Sequence, residues 1–228
     1  MSQNEVWELV ELPKGCRPIR CKWVYKIKRD SNGQVERYKA RLVAKGYSQR
    51  EGIDFKETFS PVSTKDSLRI IMAIVAHFDL ELKQMDVKTV FLNGDLYEDV
   101  YMTQPVGFEE PGEEHMVCKL KKSIYGLKQA SRQWYLKFDM IVTQKGFKEN
   151  IVDQCIYMKV SGSNFIFLVL YVDDILLASN NSDLLAETKQ LLFDHFDMKD
   201  LGEASYAWDS DPSRQSQWYS SFFSENLH

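Results

Sequence analysis

The chain has 228 residues, carries a formal net charge of −4, and is 44% apolar and 13% aromatic. That length admits one large or two small domains with a sizeable core. No apolar stretch reaches membrane-spanning length and no charged-then-apolar segment opens the chain, so an intracellular protein without a membrane anchor is expected.

The small net charge hides an asymmetry. Between Lys14 and Arg50 stand 12 Lys or Arg against Asp30 and Glu36 alone, and between Lys119 and Lys145 stand seven against Asp139 alone. Between Asn93 and Glu114 there are seven acids and no base. Two basic segments around an acidic one suit a polyanion held at its edges, although charge runs are also ordinary solvated faces. The four cysteines, at 16, 21, 118 and 155, have no partner pair at metal-site spacing. Zinc is not expected, and the cysteines read as reduced.

In chain order, residues 21–46 read as a β-hairpin. Trp23, Tyr25 and Ile27 alternate with Lys22, Lys26 and Lys28, and Asn32-Gly33 suits the positive φ of a turn. A two-stranded hairpin this basic is marginal alone. Residues 65–80 read as a helix capped by Ser67 or Asp66, with Leu68, Ile71, Ile74, Val75 and Phe78 on one face. Residues 81–87 and 100–105 read as strands. A helix from about Lys128 or Ala130 buries Trp134, Phe138, Ile141 and Val142, and Gly146 stops it. CIYMKV and NFIFLVLYV are strands around an SGSN turn, ILLAS is a further strand, and Asn181-Ser182-Asp183 caps a last helix. Strands, hairpins and helices in this order indicate α+β rather than a doubly wound parallel sheet.

Two aspartates interrupt the apolar run FLVLYVDDILLAS at 167–179. Burying charge is costly without compensation, so Asp173 and Asp174 belong at a tight hairpin that reaches solvent or ligand. Neighbouring strand residues point to opposite faces, so the two have different roles. Asp86 also follows a β-like stretch and precedes the turn chemistry of Asn93-Gly94. Three carboxylates gathered without a counter-charge repel, and a hard divalent ion such as Mg²⁺ resolves the conflict. Two such ions about 4 Å apart serve phosphoryl or nucleotidyl transfer.

YVDDILLAS resembles the YxDD signature of reverse transcriptases. QMDVKTVFLNGDLYEDVYMTQPVGF, CKLKKSIYGLKQASRQWY and ERYKARLVAKGYSQREGIDFKETFSPV resemble the polymerase of Ty1/copia-type retrotransposons. The resemblance runs from about Trp7 to Ser205. It implies a right-hand polymerase with fingers and a ferredoxin-like palm sheet backed by helices on one face. Residues 14–64 would be mainly basic fingers and 65–205 mainly palm, with the thumb and ribonuclease H missing.

The same resemblance makes Asp86, Asp173 and Asp174 the catalytic, metal-binding carboxylates, with two Mg²⁺ ions and Mn²⁺ as the alternative. A primer 3′-hydroxyl then attacks the α-phosphate of a dNTP on an RNA or DNA template, in the cytoplasm. Phe91 matches the aromatic that stacks under the incoming sugar and would collide with a 2′-hydroxyl; a core aromatic is the alternative. Arg41 and Lys39 match positions that touch the triphosphate, and Gln129 matches the segment beside the nascent base pair. Each of these three also suits a surface residue. Val90 stands where the family usually has Ala, and Ser131 where it has Pro.

After Ser205 the chain departs from the family. Reading the possible codons one frame over gives Gly from Trp208-Asp209, then permits Ile, Gln, Ile, His, Arg and Asp in order, and gives a second Gly from Trp218-Tyr219. Residues 206–228 are therefore expected to be out-of-frame translation, leaving a truncated polymerase. The rival reading is a non-catalytic retrotransposon remnant whose basic segment at most binds nucleic acid; a metal-dependent nuclease, which leaves an aromatic sugar gate without a purpose, is a third.

Overall fold

The computed structural model describes residues 5–30 and 32–204. The elements in chain order are β1 (Trp7–Val10), β2 (Cys21–Arg29), β3 (Val35–Ala44), α1 (Lys65–Phe78), β4 (Glu81–Val87), β5 (Tyr101–Thr103) and β6 (Val117–Leu120). They continue with α2 (Ala130–Gln144), β7 (Lys148–Glu149), β8 (Ile156–Ser161), β9 (Asn164–Tyr171), β10 (Asp174–Ser179), α3 (Ser182–His195) and β11 (Met198–Glu203). The structure is mixed α and β, and the pairings between named strands are antiparallel. Two compact units share it. Among the described residues, one comprises those up to Ser60 with Phe91–Phe138, and the other Pro61–Val90 with those from Asp139 to Ala204.

The first unit contains the three-stranded sheet β1-β6-β5 and the hairpin β2-β3. The hairpin's register gives it two unlike faces. Lys22, Val24, Lys26 and Lys28 stand opposite Val43, Arg41, Lys39 and Arg37, while Trp23, Tyr25 and Ile27 stand opposite Leu42, Ala40 and Tyr38. One face is a cationic ladder in which Lys26 directly opposes Lys39 and Lys28 opposes Arg37. Like charges so placed are destabilising. The base of the hairpin is anchored, since Leu42 and Ala44 are buried in the core with Ile19, Met102 and Cys118. Its far end is exposed, Tyr25 at 73% and Tyr38 at 76% on the aromatic face and Lys26 and Lys39 on or near the surface of the other. The turn is held by Asp30, whose Oδ1 accepts the amides of Asn32 and Gln34 at 2.9 and 2.8 Å.

The second unit is built on a six-stranded sheet in the order β11-β4-β10-β9-β8-β7. Leu68 and Ile71 of α1 pack with Ile156, Val169 and Leu176, three residues of one cross-strand row. On the other face Ile175, Leu177, Leu168 and Tyr157 have no exposed surface. Every residue of β10 is buried. The sheet is thus covered on both faces there. The unbroken apolar run ILLA fits that double burial, because a strand wet on one face would alternate.

Two expectations for α1 are corrected. Its cap is Thr64, whose Oγ1 accepts the Ser67 amide at 3.1 Å, so Ser67 is a capped residue and not the cap. Phe78 is 60% exposed, its ring edge-on to His77 at 4.7 Å, and does not join Leu68 and Ile71 in the core. The helix start is reinforced by buried Asp153, whose Oδ2 accepts the Ser63 hydroxyl at 2.9 Å and the Thr64 amide at 3.0 Å. In α3, Asn181 caps as expected by accepting the Leu184 amide at 2.8 Å.

All four cysteines are free thiols. Burial pushes those of Cys118 and Cys155 up to about 12, which suits packing rather than reactivity. Among the described residues no helix is long and apolar enough to cross a membrane. The expected out-of-frame stretch 206–228 lies outside the described residues.

Candidate active site

The second unit brings Asp86, Asp173 and Asp174 to one end of its sheet. Tyr171 pairs with Asp174, so β9 and β10 are joined by the two-residue loop Val172-Asp173. Val172 has φ +58°. Two-residue hairpins with positive φ at the first loop position favour Gly there. A β-branched side chain in that region is a backbone outlier, costing roughly 1–3 kcal/mol and persisting only where the surroundings over-determine it. Here they do, because the Val87 amide of β4 donates to the Asp173 carbonyl at 2.8 Å and extends the β4–β10 ladder into the loop.

Asp86 on β4 is the direct cross-strand partner of Asp174 on β10. Lys199 on β11 partners Asp86 in turn, and Tyr171 on β9 partners Asp174. One row across four strands therefore reads Lys199, Asp86, Asp174, Tyr171, all on the face covered further along by α1. Directly opposed strand residues have Cβ atoms about 4.5–5.5 Å apart. Asp174 is only 7% exposed, while Asp86 and Asp173 are half-buried. Gln84, two residues before Asp86 on the same face, donates from Nε2 to Asp174 Oδ1 at 3.1 Å. The sequence reading missed Gln84 and Lys199, since only the register of β4, β10 and β11 places them beside the carboxylates.

The three expected metal-binding aspartates thus come to one sheet end but divide into a facing pair and a loop residue. Among the described residues no group of three or more His, Cys, Asp or Glu is arranged to hold an ion. The donors fit a hard cation in kind, being oxygen alone, and Mg²⁺ commonly takes one or two protein carboxylates with water and phosphate for the rest. The facing pair meets that requirement, with Asp173 in the adjoining loop.

The first unit gathers a second set. The Phe91 ring meets Tyr125 edge-on at 4.7 Å between centroids, and the Arg41 guanidinium carbon lies 5.3 Å from the centre of the same ring. Arg41 Nε is a buried donor without a hydrogen-bond partner, the kind of group that calls for an explanation. Lys39 lies two residues before Arg41 on the same hairpin face. Tyr125, which links Arg41 to Phe91, was not singled out from the sequence; nothing local marks it.

Gln129, matched to the segment beside a nascent base pair, has its side chain inside the first unit. It has no exposed surface. Its Oε1 accepts Gln49 Nε2 at 2.9 Å and its Nε2 donates to the Asp54 carbonyl at 3.0 Å. Both ends of the amide are engaged inside the protein, so the side chain is a structural tie. Trp134 and Tyr135 are buried, as packing residues should be.

Residues 4–209 match the family model described as reverse transcriptase (RNA-dependent DNA polymerase). The chain belongs to this family. Reverse transcriptase relatives place it more closely. It is 54% identical over 205 residues, 90% of the chain, to the retrovirus-related Pol polyprotein from transposon TNT 1-94 of Nicotiana tabacum. It is 41% identical over 204 residues, 89% of the chain, to that of transposon RE1 of Arabidopsis thaliana. The Ty1-NL2 Gag-Pol polyprotein of Saccharomyces cerevisiae is 26% identical over 196 residues, 82% of the chain. These matches take in 15%, 14% and 10% of the respective polyproteins. The chain is thus a reverse transcriptase segment of the Ty1/copia-type Pol polyprotein, and it spans about one seventh of the first two relatives.

Proposed function

We propose that this chain carries the RNA-directed DNA polymerase chemistry of its family, extending a primer 3′-hydroxyl with dNTPs on an RNA or DNA template. The observation that carries the reading is the pairing of Asp86 with Asp174 beside a strained loop that fixes Asp173. Strain of this kind clusters at functional sites. Asp86, Asp173 and Asp174 would hold Mg²⁺, or Mn²⁺ in its place. Bound there, the cation supplies positive charge to phosphate oxygens and makes a hydroxyl more acidic.

In this reading the second unit, with its carboxylate row, is the palm, and the first, with its cationic hairpin, is the fingers. The fingers then take back Phe91–Phe138 instead of ending at residue 64. Arg41 and Lys39 meet the triphosphate, and Phe91 limits space at the sugar 2′ position. The thumb, ribonuclease H and other polyprotein parts would come from sequence beyond this chain, the protein working in the cytoplasm. Residues 206–228 are read as out-of-frame translation; a coding DNA in which no single-frame shift restores the family sequence would refute that.

Primer extension on an RNA template with Mg²⁺ and dNTPs tests the proposal. Extension that disappears in Asp173→Ala supports it. The cationic ladder favours a second reading, a remnant that binds nucleic acid without catalysis. Template binding without extension, unchanged by Asp173→Ala, would select that reading.

A further inference from the structure

Gln49 and Gln129 form a buried amide pair that no substrate role explains. Gln49 closes the short turn Gly46–Ser48 just beyond β3. It is 5% exposed and Gln129 is fully buried. Gln49 Oε1 accepts the Lys128 backbone amide at 2.8 Å while its Nε2 donates to Gln129 Oε1 at 2.9 Å. Gln129 Nε2 passes the chain of bonds on to the Asp54 carbonyl at 3.0 Å. Each amide spends both its donor and its acceptor end. A pair of leucines would fill the same volume with no directional demand, whereas buried amides are tolerated only when their partners sit in one arrangement.

That arrangement fixes the neighbouring backbone. The Ala44 amide donates to the Tyr125 carbonyl at 2.7 Å. A methyl group at Gly46 would overlap the Gly126 carbonyl oxygen, and one at Gly126 would overlap the Ala44 carbonyl oxygen. Segments 44–49 and 125–129 therefore touch backbone to backbone with no slack, tied at one end by Ala44–Tyr125 and at the other by the two amides. The first tie is made by Tyr125 itself, whose ring is the one against which both Arg41 and Phe91 rest.

We infer that the Gln49–Gln129 clasp is a positioning device that sets Tyr125, and through it the Arg41 guanidinium and the Phe91 ring. Its consequence for nucleotide selection rests on the polymerase reading above; the positioning itself does not. Both glutamines spend their amides inside the protein and act only through the backbone they hold.

Amide hydrogen exchange on the full chain tests this without any nucleotide. In Gln49→Met, which keeps length and removes both bonds, the Lys128 and Ala44 amides should exchange about tenfold faster, the factor expected for loss of one buried hydrogen bond. The Met102 and Cys118 amides, in the β5–β6 ladder, should not change. Gln49→Glu keeps an acceptor for the Lys128 amide and should restore its protection, and it serves if the methionine variant fails to fold. Unchanged exchange at Ala44 would overturn the inference, and so would uniform acceleration that includes Met102 and Cys118. With dGTP and Mg²⁺ added, the wild type should gain protection at Arg41 and Gln49→Met should need several-fold more dGTP to match it. A wild type indifferent to dGTP would end the polymerase reading and leave the exchange result at Ala44 to decide the clasp.

Discussion

Asp174, the first residue of β10, stands directly opposite Asp86 on β4, with Gln84 donating to its Oδ1 at 3.1 Å. Two carboxylates at facing strand positions repel, by roughly 0.2–1 kcal/mol in sheets generally. A divalent cation shared by the pair, as proposed, would turn that repulsion into affinity. Urea unfolding should therefore show wild-type stabilisation by millimolar Mg²⁺ that is absent in Asp86→Asn. With a chelator present, Asp86→Asn should be as stable as the wild type or up to about 1 kcal/mol more so. Equal Mg²⁺ responses in both proteins would remove Asp86 from the cation site.

The loop before that pair stores strain at Val172, φ +58°. Glycine adopts this conformation freely, so Val172→Gly should stabilise the fold by up to about 1 kcal/mol in equilibrium unfolding, the lost strain being offset in part by chain entropy. Val172→Ile, with the same branching, should change nothing comparable.

Asp153 gives the fold a measurable acid limit. Burial alone would raise its carboxyl, but the Ser67 hydroxyl, the Thr64 and Cys155 amides and the Ser63 hydroxyl outweigh burial and hold it below its usual 3.8. A depressed carboxyl contributes stability that is complete above the unfolded value and disappears as the pH falls through the folded one. Asp153→Asn should cost about 1–3 kcal/mol at neutral pH, by loss of charge-assisted hydrogen bonds. Denaturant midpoints of the two proteins should begin to draw together as the pH drops below 3.8 and converge only once it has fallen through the lower folded value.

Asp139 on α2 behaves in the opposite sense. Burial pushes its carboxyl up, the nearby Tyr157 hydroxyl offsets part of this, and the Glu149 charge adds to the rise. A raised acid binds its proton more tightly folded than unfolded, so its contribution to stability falls as the pH climbs from the unfolded value through the folded one. Asp139→Asn should accordingly raise the melting temperature near pH 7, and the gain should vanish in acid. A loss of stability at pH 7 would contradict this account.

Phe91, edge-on to Tyr125, provides the test of sugar selection. In an extension-competent form, Phe91→Ala should raise incorporation of ribonucleotides relative to deoxyribonucleotides. Unchanged selectivity would return Phe91 to an ordinary packing role.

How far the sequence was readable depended on whether the deciding contact is local. The hairpin β2–β3 was plain, because alternation and Asn32-Gly33 state strand, turn and register together. The loop at Asp173 was plain too, since two carboxylates between apolar runs have few other places to go. Strands β1, β6 and β11 escaped notice; each is short and becomes a strand only by pairing with a distant partner. Thr64 lost out to Asp66 and Ser67 as the presumed cap because three oxygen-bearing residues close together compete on equal local terms. Gln129 was given a substrate because an isolated glutamine in sequence does not reveal that Gln49 and Asp54 already occupy both ends of its amide.

The register that sets Lys26 against Lys39 and Lys28 against Arg37 has a thermodynamic consequence. Whatever neutralises that face also relieves the repulsion opposing the hairpin, so occupancy and ordering become one linked equilibrium. If the face holds nucleic acid as proposed, raising the ionic strength acts twice and in opposite directions: it screens the ladder against itself and weakens the hold on the anionic chain. A dissociation constant measured for this protein at a single salt concentration therefore contains a folding contribution, and only a salt series separates the two.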